Sequence, residues 1–491
     1  MIEKNLQGLN EVIAGSSDPA VAKLLSRLKG EGRVVRLAPR LYTTNLTDSP
    51  ESIVRRNLWT IIGKLWPGAR LSYRTAFEYA PHEGHVFLGY KYTRKVALPG
   101  LTIHFIATPE SLPSDYPFME GLGVSSNARA MLENLEPDRT QGGVAKCLPA
   151  EAVEERLEAE FAAGGEAALN KLRDEARSVA AMTGLEYEFS RLDKLVGALL
   201  STRPANVLKS SVALARAAGE PFDSHRIELF GNLLERLVRT EFPQYPDANV
   251  SDGDYATFAF FESYFSNYIE GTVFELAEAR QIVETGVAIP ARDADSHDIL
   301  GTYAVASNRR ELCRRAETSD DFLELLRGRH RVVMSGRPSC APGLFKTRDN
   351  RAGNTHFVSF DRVRGTLKRG FDMSRAIRHP FARAVFIMFV TSETHPFADG
   401  NGRVSRLMMN AELTAAGQTK IIVPTVFRPD YIGALRRLSR NGDPDVLVTA
   451  MSRLWDFGRW LSCGDFETLK ERLERSGAFS DDEGCILRFG K

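Results

Sequence analysis

Apolar residues recur at helical spacing through much of this chain. Residues 19–29 (PAVAKLLSRLK) put Ala, Val and Leu on one face and Lys and Arg on the other, which predicts an amphipathic helix. Gly30-Glu31-Gly32 breaks it, and the alternation over residues 33–43, RVVRLAPRLYT, predicts a short basic β-hairpin. Apolar content falls and turn formers rise across residues 136–143 (EPDRTQGG), a domain boundary. Residues 151–208 are rich in Ala, Leu and Glu at helical spacing, interrupted at Gly164-Gly165, and further helices are expected from about His225 onward. Residues 255–283 predict another helix. Residues 342–346 and 350–358 predict two short strands around a turn. The almost fully apolar run ARAVFIMFV at 382–390, with Pro380 in the first turn, predicts a buried helix. Residues 404–413 (VSRLMMNAEL) predict a further one. The end of the chain, 466–491, is mostly polar.

Composition narrows the class. A length of 491 residues suits two or three domains, and 43% apolar with 26% charged residues suits a soluble globular protein. The net charge is only +1, yet residues 1–105 hold 15 Lys plus Arg against 8 Asp plus Glu. A basic N-terminal region implies an anionic partner. The start Met1-Ile2-Glu3-Lys4 lacks a signal-peptide core, and no apolar run approaches a membrane span, so no membrane partner is expected. Five scattered cysteines (Cys147, Cys313, Cys340, Cys463 and Cys485) predict reduced thiols and a cytoplasmic setting. His82-Glu83-Gly84-His85 lacks the partners of a zinc site, and the chain contains neither a CxxC nor a Walker-type loop.

The candidate chemistry lies between the two buried helices. Residues 395–406 (HPFADGNGRVSR) hold an imidazole, a carboxylate, two glycines, an amide and two guanidinium groups. Gly400, Asn401 and Gly402 feed a helix start, whose backbone N–H groups and dipole favour an anion. Arg403 and Arg406, three apart, can each grip a phosphate with two hydrogen bonds. Asp399 would repel phosphate directly, so it is expected to hold Mg2+ bridging the phosphates. His395 has the pKa range of a general base. The nearby His379-Pro380-Phe381-Ala382 repeats the opening letters without the glycine loop and reads as structural.

These residues match H-P-F-x-(D/E)-G-N-G-R-x-x-R at every defined position, so the chain resembles the Fic-domain family. The resemblance implies transfer of AMP from ATP to a protein Ser, Thr or Tyr hydroxyl. By it, His395 is the base, Phe397 anchors the loop and Asp399 positions Mg2+. Gly400, Asn401 and Gly402 cradle phosphates, Arg403 holds the β-phosphate and Arg406 the γ-phosphate. Upstream, Ser266 and Glu270 share a helix face, and Ser266-x-x-x-Glu270-Gly271 resembles the family's inhibitory motif in the class where that helix precedes the core. Glu270 is then expected to pair with Arg406 and block the γ-phosphate; some relatives also remove AMP. The 342–358 segment resembles the hairpin flap over the nucleotide, implicating Gly353 and Asn354. Arg428-Pro429-Asp430-Tyr431 and Ala434-Leu435 resemble the adenine-pocket segment, implicating Tyr431, with Ile432 where a second tyrosine is common.

The N-terminal pattern of helix, glycine turn and basic hairpin has the outline of a winged helix, and RVVRLAPRLYTT, ESIVRRNLW and LSYRTAFEY resemble the AbiEi-type antitoxin module. The expected fold is multidomain and mainly α. A winged-helix-like α+β domain (1–135) leads through a helical connector (145–220) to an all-α Fic core with a β-hairpin flap (221–465). That core includes the inhibitory helix (about 255–283), and a polar tail (466–491) follows. The expected activity is ATP- and Mg2+-dependent adenylyl transfer. Partners are a hydroxyl-bearing protein, duplex DNA at the basic domain, and a second copy of the chain in a homodimer. Two alternatives are a DNA-binding regulator whose Fic domain senses nucleotide, and a Fic enzyme with another donor.

Overall fold

A computed structural model describes residues 11–15, 18–138, 143–461, 464–482 and 484–490. The extreme N-terminus, Cys463 and part of the 136–143 boundary lie outside the described residues. The chain divides into two compact units, Met1–Ala217 and Ala218–Lys491. The fold is mainly helical, with its larger sheets in the first unit.

In the first unit, helix Pro19–Gly30 starts where the Asp18 carboxylate accepts from the Ala20 N–H at 2.8 Å, with Pro19 in the opening turn. Strand Leu41–Thr43 lies between Val12–Ala14 and Val35–Ala38, antiparallel to both. A second, six-stranded sheet follows, which the sequence reading did not foresee. Its longest pairing is parallel, His85–Tyr90 beside Leu101–Ala107, and Leu101, Ile103 and Phe105 point into the core. The interruption expected at Gly164-Gly165 is present in the following helix. Ala150–Thr183 continues through a local break at Gly165 (φ 65°, ψ −159°) and packs Leu157, Leu169 and Leu172 with Leu192 and Val196 of Glu186–Leu199.

The second unit is built around helix Pro380–Thr394, whose residues 384–391 are all buried. A helix apolar on every side must be covered on every side. Asn401–Ala415 packs along it, and Phe230 of Ser224–Arg239 meets Phe386 and Phe389 edge-on. Helix Val363–Ser374 approaches closely at Gly370, where a Cβ would fall 2.6 Å from Val390.

Three expectations need correction here. The 255–283 helix is two helices, Asp252–Ile269 and Leu276–Thr285, interrupted at Glu270 and at Gly271 with φ 92°. The hairpin lies wholly within 350–358: Arg351–Ala352 pairs with Thr355–His356, while 342–346 forms no strand, its Leu344 N–H closing a turn on the Ala341 carbonyl at 3.0 Å and its Lys346 N–H donating to the Pro396 carbonyl at 2.9 Å. The polar tail includes helix Phe466–Arg475, whose Leu469 and Leu473, four apart, are fully buried, and Phe466 stacks on Phe261. No helix among the described residues is long and apolar enough to cross a membrane.

Candidate active site

The central helix ends by placing His395 in a left-handed conformation (φ 49°, ψ 60°), where its N–H still reaches the Thr391 carbonyl at 3.1 Å. This backbone turn swings the half-buried imidazole out of the helix and against Phe357, with ring centroids 3.8 Å apart and planes 5° from parallel. Burial, helped by the Lys346 cation and opposed by Glu270, lowers the imidazole pKa to about 4. His395 is therefore neutral at physiological pH and able to accept a proton.

The loop after His395 is held by its own short-range bonds. Asn401 uses both ends of its amide on Phe397, accepting from the N–H at 2.8 Å and donating to the carbonyl at 2.9 Å. Asn350 also donates to that carbonyl at 3.0 Å. Phe397 is fully buried and stacked on His330 at 3.7 Å. His330 Nδ1 accepts from the Gly343 N–H at 2.9 Å, so its Nε2 carries the proton and donates to the Asp399 carbonyl at 3.0 Å. Burial holds this imidazole neutral, with its pKa lowered to about 4.

Gly400 turns the chain with φ 74° and starts helix Asn401–Ala415, three residues earlier than the periodicity indicated. A side chain there would collide with Met334, its Cβ 2.5 Å from the sulfur. Gly402 and Arg403 thus fall in the first turn, where backbone N–H groups have no carbonyl partner within the helix. The Asn401 side chain is occupied by Phe397, so that residue offers an anion its backbone rather than its amide.

A carboxylate stands over this helix start. A Cβ on Gly402 would fall 2.1 Å from Glu270 Oε1, and the same oxygen accepts from Arg406 Nη2 at 2.8 Å. Ser266 completes the grip on the buried Arg406: its hydroxyl accepts from Nε at 3.0 Å and its carbonyl from Nη2 at 2.8 Å. Gly271 turns the chain away just beyond. Arg403 is paired with a residue the sequence reading missed, Asp298, whose Oδ2 lies 2.8 Å from Nη1. Asp298 also accepts from Arg337 at 2.7 Å, and the Arg403 Nε has no hydrogen-bond partner among the described residues. Asp399 is open to solvent, its side chain 52% exposed. One of its oxygens takes the Gly400 N–H at 2.7 Å and the other lies 3.9 Å from Arg403.

His395, Gly402, Arg406, Glu270 and Tyr431 line one cleft of about 220 Å3. Tyr431 is buried, its hydroxyl beside Met388 and hydrogen-bonded to Arg406. The hairpin contributes Ala352, Thr355 and Phe357 to the cleft wall. Gly353 and Asn354, expected at the site, instead form the exposed tip of the turn and are not part of that wall. The sequence reading also missed Lys346 and Glu393. Buried Lys346 donates to Asn350 at 2.6 Å, and burial lowers its pKa to about 8. Glu393, two residues before His395, lines the cleft. Among the described residues no group of three or more His, Cys, Asp or Glu is placed to hold a metal ion by itself.

Residues 320–413 match the Fic/DOC family, a segment containing His395, Asp399, Arg403 and Arg406 but neither Glu270 nor Tyr431. The chain is similar to the protein adenylyltransferase Fic of Drosophila erecta, 34% identical over 188 residues, 37% of this chain and 37% of that protein. The Drosophila willistoni protein of the same name is 33% identical over 191 residues, covering 37% of this chain and 36% of its own. The chain thus spans a little over a third of the length of these relatives. Among solved structures, a fragment of Fic-1 from C. elegans aligns with 67% of this chain and 98% of its own, at 18% identity and a TM-score of 0.37.

Proposed function

We propose that the second unit is a protein adenylyltransferase that moves AMP from ATP to a Ser, Thr or Tyr hydroxyl of a target protein. One observation carries this reading: a neutral imidazole, a helix N-terminus and a buried arginine line one cleft. The triphosphate lies on the N–H groups at Gly402 and Arg403, with Arg406 drawing its terminal phosphate. His395 takes the proton of the incoming hydroxyl as its oxygen attacks the α-phosphorus. The bond to the β-phosphate oxygen breaks, and pyrophosphate leaves. Mg2+ fits this site through Asp399, whose exposed carboxylate suits a cation held by one carboxylate and substrate phosphates, and it would neutralise phosphate charge there.

The resting enzyme is self-inhibited. Glu270 fills the anion position above Gly402 and satisfies Arg406, so a γ-phosphate must displace it. The Glu270 side chain, at the end of helix Asp252–Ile269, has to turn away for ATP to seat productively. In the first unit, Arg33, Arg36 and Arg40 are exposed around the Val35–Ala38 hairpin. They support duplex DNA as the partner of that unit, tested by binding that weakens steeply with salt.

The test of the enzymatic reading is incubation of Glu270→Gly protein with isotopically labelled ATP and host lysate, followed by mass spectrometry of labelled bands. An adenylyl group on a Ser, Thr or Tyr is expected. Labelling that persists in Glu270→Gly/His395→Asn overturns the assignment of the base.

A further inference from the structure

The cleft has an anion end and a base end. Gly402, Arg406 and Glu270 form the first. Away from them, Ile432 and Leu435 offer an apolar wall for a planar ring, and Glu393, Ser439 and Arg436 supply the polar groups beside it. A nucleotide with its phosphates on the helix start and its α-phosphorus beside His395 puts its base here.

Glu393 is an unusual residue for such a place. It is buried at 5% exposure, on the innermost helix of the unit. Its Oε1 accepts from the Ser439 hydroxyl at 2.9 Å and lies 2.9 Å from Arg226 Nε. Arg226 is fixed in turn by the His356 carbonyl at 2.6 Å. Among the described residues nothing donates a hydrogen bond to the second oxygen, Oε2. The carboxylate is thus anchored through one oxygen and has one acceptor left, in the wall of the cleft. An ion pair that only joined helices Ser224–Arg239 and Pro380–Thr394 would have no need to face the cavity.

We propose that Glu393 is a specificity-determining residue that accepts a hydrogen bond from the exocyclic amine of the donor's base. This rests on the adenylyltransferase reading and adds to it the donor class. Adenine and cytosine present an amine donor at the edge where guanine and uracil present a carbonyl oxygen. A carbonyl facing Oε2 leaves two acceptors opposed without a proton, an arrangement a buried site rejects. Guanine's own amine is flanked by a ring N–H, and pairing that edge takes both carboxylate oxygens. Oε1 is already engaged by Ser439 and Arg226. The site therefore selects amine-edged nucleotides, ATP and CTP, over GTP and UTP.

The experiment measures calorimetric binding of ATP, CTP, GTP and UTP to full-length Glu270→Gly protein and to Glu270→Gly/Glu393→Gln, with label transfer followed in parallel. The parent is expected to favour ATP and CTP. The glutamine, whose amide can donate to a carbonyl, is expected to lower the ATP-to-GTP and ATP-to-UTP ratios by about 10- to 100-fold, the weight of one hydrogen bond to a charged group. Equal affinities in the parent, or unchanged ratios in the double variant, overturn the inference. Should the glutamine variant fail to fold, Glu270→Gly/Ser439→Ala removes the hydroxyl from Oε1, leaving it to Arg226 alone, and is expected to gain GTP relative to ATP; an unchanged ratio there also overturns it. Discriminating binding without label transfer from any nucleotide sinks the adenylyltransferase reading while the base-reading residue stands.

Discussion

Glu270 Oε1 accepts a 2.8 Å hydrogen bond from Arg406 and lies 2.1 Å from where a Cβ on Gly402 would sit. One carboxylate oxygen thus occupies both things a terminal phosphate needs, the guanidinium and the open helix start. In the proposed reading, inhibition is a competition between two anions for one site. The Glu270 side chain is 30% exposed, so it can leave without unfolding the helix behind it.

Removing that carboxylate releases the site. Glu270→Gly is expected to raise auto-adenylylation by about 5- to 150-fold, the span of ordinary coupling free energies. Label incorporated from α-labelled ATP measures it. No gain over the unaltered protein contradicts the competition.

Deleting the base has the opposite effect. His395→Asn, a residue that tolerates the left-handed backbone seen at φ 49°, is expected to reduce transfer about 100- to 10,000-fold with an unchanged thermal midpoint. In the released enzyme the rate should be level from neutral pH down to about 5. It should fall only as acid protonates the imidazole near pH 4, where burial places its pKa. A rate that falls as pH rises through neutrality contradicts the role of a free base.

The reach of sequence reading follows from how local each interaction is. The 395–406 loop was legible because its groups are contiguous and its scaffold, Asn401 on Phe397, spans four residues. Glu270 was legible through its spacing from Ser266. Asp298, which fixes Arg403, was not, since it sits on a separate helix, Asp293–Ala306, and only packing brings the two charges together. Gly353 and Asn354 mark the turn, but turn formers do not say which flanking residues line the cleft; Ala352, Thr355 and Phe357 do so. Leu469 and Leu473 were hidden by charged neighbours, although their four-residue spacing marks a buried stripe. The long first-unit strands were present as alternation in LTIHFIA, where Leu101, Ile103 and Phe105 are buried.

Asn401 is expected to matter through the loop rather than through the nucleotide. Asn401→Ala leaves the buried Phe397 N–H without its 2.8 Å acceptor, a cost of about 1–3 kcal/mol. Thermal unfolding should show a lowered midpoint, and transfer should fall with it as His395 and Asp399 lose their fixed spacing. Full stability with lost activity would instead assign the amide to the nucleotide.

His330 couples the loop to pH. Its folded pKa is lowered to about 4 from the ordinary 6.5, so the unfolded chain binds more protons between those values. Its contribution is complete above about pH 6.5 and is lost as pH falls toward 4, a change of roughly 3 kcal/mol. Thermal midpoints across this range should drop less steeply in His330→Gln, which keeps one donor and one acceptor. Parallel curves for the two proteins contradict this source of acid sensitivity.

The central claim is attack at the α-phosphorus by a hydroxyl that His395 deprotonates. It is tested most directly by giving Glu270→Gly protein ATP labelled at either the α- or the γ-phosphate and reading label retained on protein. Retention from the α-label alone, with pyrophosphate released and both signals absent in Glu270→Gly/His395→Asn, is the expected result. Retention of the γ-label would mean phosphate transfer and would contradict the account.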